Sequence, residues 1–291
     1  MRYSLHHFTK YFYSGRVSYS QHLSHLRPLD TTKQKVNSYR LEVSPKANSH
    51  QVYTDYFGNF EDYFSLTSPH DVLTVDSYAE IEINPATFPT LDLSPPWEEV
   101  RDQMVAPISQ EAILASEYCY SSKHCPQMDD LAQFAQKAFT PGKHILHAAK
   151  ELNELIHNEF SFDAKATTVS TSVEDVFRKR AGVCQDFAHL QISALRSIGL
   201  AARYVSGYIR TEPPKGGSRL IGADASHAWI ALYIPHLGWI EYDSTNNVSP
   251  TTDHITVAYG RDYDDICPIR GIVYGGGSQT LEVGVTLTPL N

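Results

Sequence analysis

The chain has 291 residues, enough for two domains or one large one, and 42% of them are hydrophobic, which argues against a globally disordered protein. Lys and Arg total 24 against 33 Asp and Glu, a formal charge of −9 without a basic run, and this disfavours nucleic acid or an anionic membrane surface as partner. Four scattered cysteines are too few for a disulfide framework in a chain this long, so reduced thiols are expected.

The opening segment "MRYSLHHFTKYFY" lacks the continuous apolar core of a signal peptide. No later stretch is long and apolar enough to span a bilayer, and a soluble, cytoplasmic protein is the expectation. Residues 1–93 read as a β-rich N-terminal domain. "SYRLEVSP", "HQVYTDYF" and "VDSYAEIEINP" alternate apolar and polar residues or are rich in Tyr, Val and Phe. Gly58 and Asn59, between two aromatic runs, suit a tight two-residue hairpin turn. Strand after strand with turn signals between them predicts a small β-sandwich, and no catalytic grouping is visible in it.

Ser94-Pro95-Pro96 stops the strand pattern and Trp97 starts a helical one, so a second domain is expected over 94–291. Helices are predicted over 97–104, 128–138 and 145–160; the last puts Leu146, Ala149, Leu152, Leu155 and Ile156 on one stripe. "STSVEDVFRKR" predicts a short capped helix, with Thr171 and Glu174 or Ser172 and Asp175 as its capping box. From Gly182 a further helix runs to about Ile198, with Phe187, Leu190, Ala194, Leu195 and Ile198 at helical spacing and Gly199 ending it. The chain then turns β again. "LAARYVSGYIR", "SHAWIALYI" and "GWIEYDS" are strand-like, "GSRLIGADA" and "PHLG" connect them, and "HITVAYG" and "LEVGVTLTP" close the series. Helices followed by neighbouring strands predict a segregated α+β domain with helices packed on an antiparallel sheet.

Cys184, at the first turn of its helix after "AG", is open to two readings. Unsatisfied N–H groups and the positive helix end would stabilise a thiolate and hold an oxyanion, making it a nucleophile. Equally, a free cysteine is often a small buried hydrophobe. His227 starts a strand and shares a face with Trp229, while Ala228, Ile230 and Leu232 form an apolar face. It is placed to take a thiol proton, although one histidine among 14 is more often structural. The "PHLG" connector reads as a hairpin, so Asp243 at the end of the second strand returns toward His227 and can hold one ring nitrogen. Gln185 and Asp186 in the same first turn are capping residues or shape the oxyanion site. Trp229 and Trp239 wall a substrate groove or pack structurally. Arg203, Tyr204 and Tyr208 on the strand after the helix read as packing and ion-pair residues or as cleft lining. Cys119, His124 and Cys125 have no partner pair at zinc spacing, and Asp262, Asp264 and Asp265 lack an EF-hand pattern and read as a solvated turn, so no metal is expected.

Three segments, "RAGVCQDFAHLQISALRSIGLAARYVSGYI", "SHAWIALYIPHLGWIEYDSTNN" and "GRDYDDICPIRGIVYGGG", resemble the bacterial transglutaminase-like superfamily, whose members are papain-like in their chemistry. "YFYSGRVSYSQHLSHLRPL" resembles the β-rich region that precedes that catalytic domain. One departure is Cys267 in "DDICPIRG", where a second proline would be expected. The resemblance implies a papain-like, transglutaminase-like catalytic domain and a Cys–His–Asp triad that falls on Cys184, His227 and Asp243. Such a triad acts on a peptide or protein amide carbonyl through a thioester acyl-enzyme and requires no cofactor. The expected activity is amide hydrolysis, as protease, peptidase or amidase. Protein-glutamine transamidation, with a primary amine as acceptor, is the alternative, and a non-catalytic scaffold on the same fold is a third reading. Hydrolysis is preferred because transfer needs a dedicated acceptor site to compete with water.

Overall fold

The computed structural model describes residues 1–85, 88–211 and 225–290. Five strands open the chain: β1 (Arg2–Ser24), β2 (Gln34–Ser44), β3 (Ser49–Thr54), β4 (Phe60–Leu66) and β5 (His70–Ile83). Helices α1 (Trp97–Val105), α2 (Gln110–Ser116), α3 (Asp129–Gln136) and α4 (Ile145–Glu159) follow. Next come the short strand β6 (Ser161–Phe162), helix α5 (Val173–Lys179), the short strand β7 (Ala181–Gly182) and helix α6 (Cys184–Ser197). The chain ends in β8 (Ala202–Ile209), β9 (Ala225–Ile234), β10 (Gly238–Tyr242), β11 (His254–Gly260), β12 (Ile269–Gly275) and β13 (Gln279–Leu290). Most of the connector expected at 217–225 lies outside the described residues.

β1 is long because its alternation is sustained: Tyr3, Leu5, His7 and Thr9 are all buried, at every second position. Its first half pairs with β5 on one side and β13 on the other; its second half pairs with β4 and β12. The register breaks between Phe12 and Val17, so one strand serves two blocks of a seven-stranded antiparallel sheet. Between the blocks Phe64 and Leu66 pack with Leu73, Val75, Tyr13 and Val17. The sheet is thus built from both ends of the chain. The β3–β4 connection differs from the expected two-residue turn. It spans residues 55–59, because the Asp55 carboxylate gathers the N–H groups of Phe57 and Asn59 and the Asn59 amide, while Gly58 takes a φ of 86°.

β10, β9, β8 and β11 form a second antiparallel sheet in that order. Ala228, Ile230 and Leu232 of β9 and Ala202 and Tyr204 of β8 join Leu190, Ala194 and Leu195 of α6 in the main core. The opposite face carries Val205, Trp229, Ala231 and Trp239. The N-terminal part grips this sheet through buried amides. Asn59 bonds both backbone groups of Tyr259, at 2.7 and 2.8 Å, and Gln34 bonds both of Thr256, at 2.8 and 2.9 Å. Helices α1, α3 and α4 fall within one or two residues of their expected ends. In α5 it is Ser172 that caps, accepting the Asp175 N–H at 3.1 Å.

Candidate active site

Helix α6 starts where it does because Asp186, buried at its third position, accepts the Val183 N–H at 2.8 Å and the Thr167 hydroxyl at 2.6 Å. Burial raises the Asp186 pKa above the usual carboxylate range, against the pull of these two bonds. A Cβ on Gly182 would come 2.8 Å from the capping oxygen, so the glycine permits the cap. Parallel pairing of β6 with β7 holds the approach to the helix. The result is a half-buried Cys184 as the first residue of α6, where backbone N–H groups have no intrahelical acceptor.

His227, near the start of β9, is buried and pairs across the sheet with Gly207. Its Nε2 lies 2.7 Å from Asp243 Oδ2, and the Cys184 side chain is near enough to act on the charge of the ring. Asp243 directly follows β10 and closes a turn by two backbone bonds with Val248, at 2.8 and 3.1 Å. Its Oδ1 accepts the N–H groups of Thr245 (3.0 Å) and Asn246 (3.2 Å), and its Oδ2 also takes the Asn246 amide (2.7 Å) and His254 Nε2 (3.0 Å). Burial by itself would raise the Asp243 pKa, but hydrogen bonds from His227 and His254, the His227 charge and the Asn246 amide outweigh it and hold the carboxyl well below its usual range. For His227 burial disfavours the charge, yet the bonds and charges of Asp243 and Cys184 push it up to about 10.

Behind the turn, Asn153 of α4 donates to the Asp243 carbonyl at 3.3 Å and to Asn247 at 3.1 Å, and it accepts from Gln191 of α6 at 3.3 Å. His254, Asn246 and Asn153 were not singled out from the sequence. Asn246 lies in the same "DSTNN" segment as Asp243, whereas His254 and Asn153 reach the site through tertiary packing that no local pattern signals.

Among the other expected site residues, Gln185 is half-buried beside Cys184 in the first turn. Trp229 backs the histidines rather than lining an open groove. It is buried, its ring centroid is 5.9 Å from that of His227 and edge-on to His254 at 5.3 Å, and its Nε1 donates to Glu241 at 3.1 Å. Tyr208 is buried and its hydroxyl bonds His7 Nδ1 at 2.7 Å, tying β8 to β1. Trp239 pairs with Tyr233 at the far end of the hairpin, roughly 20 Å along β9 from His227. Asp262 is not part of a solvated turn: it is buried and accepts the N–H groups of His124 and Asp264, both at 2.9 Å. The four cysteines are unpaired, and burial pushes the Cys119 thiol up to about 11 and that of Cys125 up to about 12. His227, Asp243 and His254 offer ligand atoms within 4.8 Å of one another, which makes them the metal-capable group among the described residues; a metal there would have to replace their mutual hydrogen bonds.

Residues 132–244 match the family model of the transglutaminase-like superfamily, and residues 3–82 match the bacterial transglutaminase-like N-terminal region. The uncharacterized protein Rv2569c of Mycobacterium tuberculosis is 34% identical over 296 residues, covering 99% of this chain and 93% of its own. The chain belongs to the transglutaminase-like superfamily. A crystal structure of a candidate cysteine protease from Cytophaga hutchinsonii is similar in fold, with a TM-score of 0.77 at 21% identity, over 100% of this chain and 92% of that one. A protein-glutamine gamma-glutamyltransferase of Pseudomonas aeruginosa is 33% identical over 102 residues, 34% of this chain and 15% of that one. The mixed architecture expected for the superfamily, a β-rich N-terminal part and helices on an antiparallel sheet, is the one observed. Among the described residues no helix is long and apolar enough to cross a membrane.

Proposed function

We propose that this superfamily member is a cysteine-dependent amide hydrolase acting on a peptide or protein, with Cys184 as nucleophile, His227 as base and acid, and Asp243 as the group that orients His227. The observation that carries this reading is the buried His227–Asp243 hydrogen bond of 2.7 Å, with the side chain of Cys184, the first residue of a helix, near enough to act on the ring. His227 takes the Cys184 thiol proton, and a ring whose pKa is raised to about 10 suits holding that proton for the departing amine. The sulfur attacks the amide carbonyl carbon, and the Cys184 N–H holds the developing oxyanion. His227 gives its proton to the departing amine as the C–N bond breaks, leaving a thioester. Water then attacks the thioester, its proton passes to His227, and the acid leaves with the thiolate restored. The four unpaired thiols suit a reducing compartment, and we assign the protein to the cytoplasm.

Transamidation is the second reading, favoured by the similarity of 102 residues to a glutamyltransferase. In it a primary amine replaces water in the last step. The test is mass spectrometry of glutamine-containing peptides incubated with the protein, with and without a primary amine. Cleavage or deamidation that ignores the amine supports hydrolysis; amine-dependent adducts support transfer. Cys184→Ala should lower either activity at least about a thousandfold. Product formation by Cys184→Ala at the wild-type rate would overturn both readings. Absence of product together with a Cys184 inert to iodoacetamide would favour a scaffold.

A further inference from the structure

Arg203 of β8 stands on the sheet face opposite α6. Its guanidinium lies between two rings, 3.5 Å from the centroid of Tyr259 and 4.2 Å from that of Trp239. Among the described residues it has no hydrogen-bonded or ion-paired partner, and its Nε is shut off from solvent. Glu241 stands on the same sheet face, opposite Ala231 as Arg203 is, and its charge reaches the guanidinium, but its Oε2 is taken by Lys33 Nζ at 2.5 Å and Trp229 Nε1 at 3.1 Å. A half-buried guanidinium whose Nε is shut off from solvent and which no carboxylate contacts directly has an anion as its natural complement.

The same guanidinium lines a cavity of about 820 Å³. That volume is in the range of small-molecule sites. Tyr118, Tyr233 and Trp239 wall it, and Ile108 and Leu114 are exposed apolar residues on its lining. A guanidinium stacked between rings presents its N–H edge, which matches the two oxygens of a carboxylate. Glu111 and Glu117 also line the cavity, the latter bound to the Tyr56 hydroxyl at 2.6 Å. Their charge penalises a multiply charged phosphate more than a monoanion.

We propose that this cavity binds an organic carboxylate carried on an apolar or aromatic body, with Arg203 as the partner of the anion. A small aryl carboxylate and the free C-terminus of a peptide share this chemistry. The site is at the other end of β9 from His227, and the proposal holds whether or not Cys184 is a nucleophile.

The test uses the full chain and four probes: 3-phenylpropionate, N-acetyl-glycyl-phenylalanine, and the primary amide of each. Binding is read by calorimetry and by the change in tryptophan fluorescence, since Trp239 is the tryptophan that lines the cavity. At least one acid should bind saturably, about tenfold or more tighter than its amide. The tighter acid identifies the source of the carboxylate. Arg203→Met should erase the preference for acid over amide. Ile108→Asp, at a position 99% exposed and so safe for folding, should weaken acid binding by placing a like charge at the cavity. Equal binding of acid and amide, no binding of either acid at millimolar concentration, or an Ile108→Asp affinity equal to wild type would overturn the proposal.

Discussion

Asp243 gives both oxygens to hydrogen bonds, and His254 supplies one of the donors. The Nδ1 of His254 accepts the Thr251 N–H at 3.3 Å, which puts the ring proton on Nε2, facing Asp243. His254 therefore acts as a positioning residue for the proposed triad. His254→Gln keeps a donor within reach of Asp243 and His254→Phe does not. We expect kcat to fall about tenfold or more in the phenylalanine variant and less in the glutamine variant, with a shifted pH profile of Cys184 alkylation in the former. Equal rates in both variants would mean that His254 serves packing alone. His227 makes a separate prediction. Its folded pKa, about 10, lies above the ordinary value of 6.5, so the native state holds an extra proton between them. The stability this brings is fully present below pH 6.5 and is lost as pH rises through 10. Denaturant titrations from pH 6 to 10 should show that decline in the wild type and a flatter curve in His227→Gln. Cys184, His227 and Asp243 were legible because each sits at a readable place, a helix start, a strand start and a hairpin end. His254 was not, because its approach to Asp243 depends on β11 pairing with β8, and a strand pattern does not name its partner.

At the scale of elements, the start of α6 carries the most consequence. Gly182→Ala would drive a Cβ against the Asp186 carboxylate that caps the helix. We expect a loss of about 1–2 kcal/mol from the cap, measured by denaturant unfolding, and a larger loss of activity because the first turn holds Cys184. A variant as stable and active as wild type would show that the cap can re-form elsewhere. The long helices were legible from their apolar stripes. Helix α2 was not: Ile113 and Leu114 are exposed and only Ala112 and Ala115 are buried, so no stripe announces it. The β3–β4 loop is longer than the Gly-Asn pair implies because Asp55, three residues before Gly58, organises it through its side chain.

For the whole molecule, the sheet built from both ends of the chain decides how the parts depend on one another. β13 pairs with β1 from Arg2–Leu290 to Tyr13–Gln279, and β12 covers the rest of the same edge. A chain cut after residue 275 would leave the first half of β1 with an open edge. Such a chain should lose its cooperative thermal transition and elute as aggregate in size exclusion. A monomer with wild-type melting would show that β13 is dispensable. The β character of both terminal regions was legible from alternation. Their pairing was not, since a period of two says which face is buried and nothing about which strand lies alongside.

Arg2 and Leu290 face each other across one ladder, yet they are the widest-spaced strand partners among the described residues. On the ribosome β1 emerges before β13 and must wait for it to be made. Throughout that interval a long strand stands with an unpaired edge beside other nascent chains, so synthesis, more than the finished protein, is where this architecture is exposed to mispairing and to the need for a chaperone.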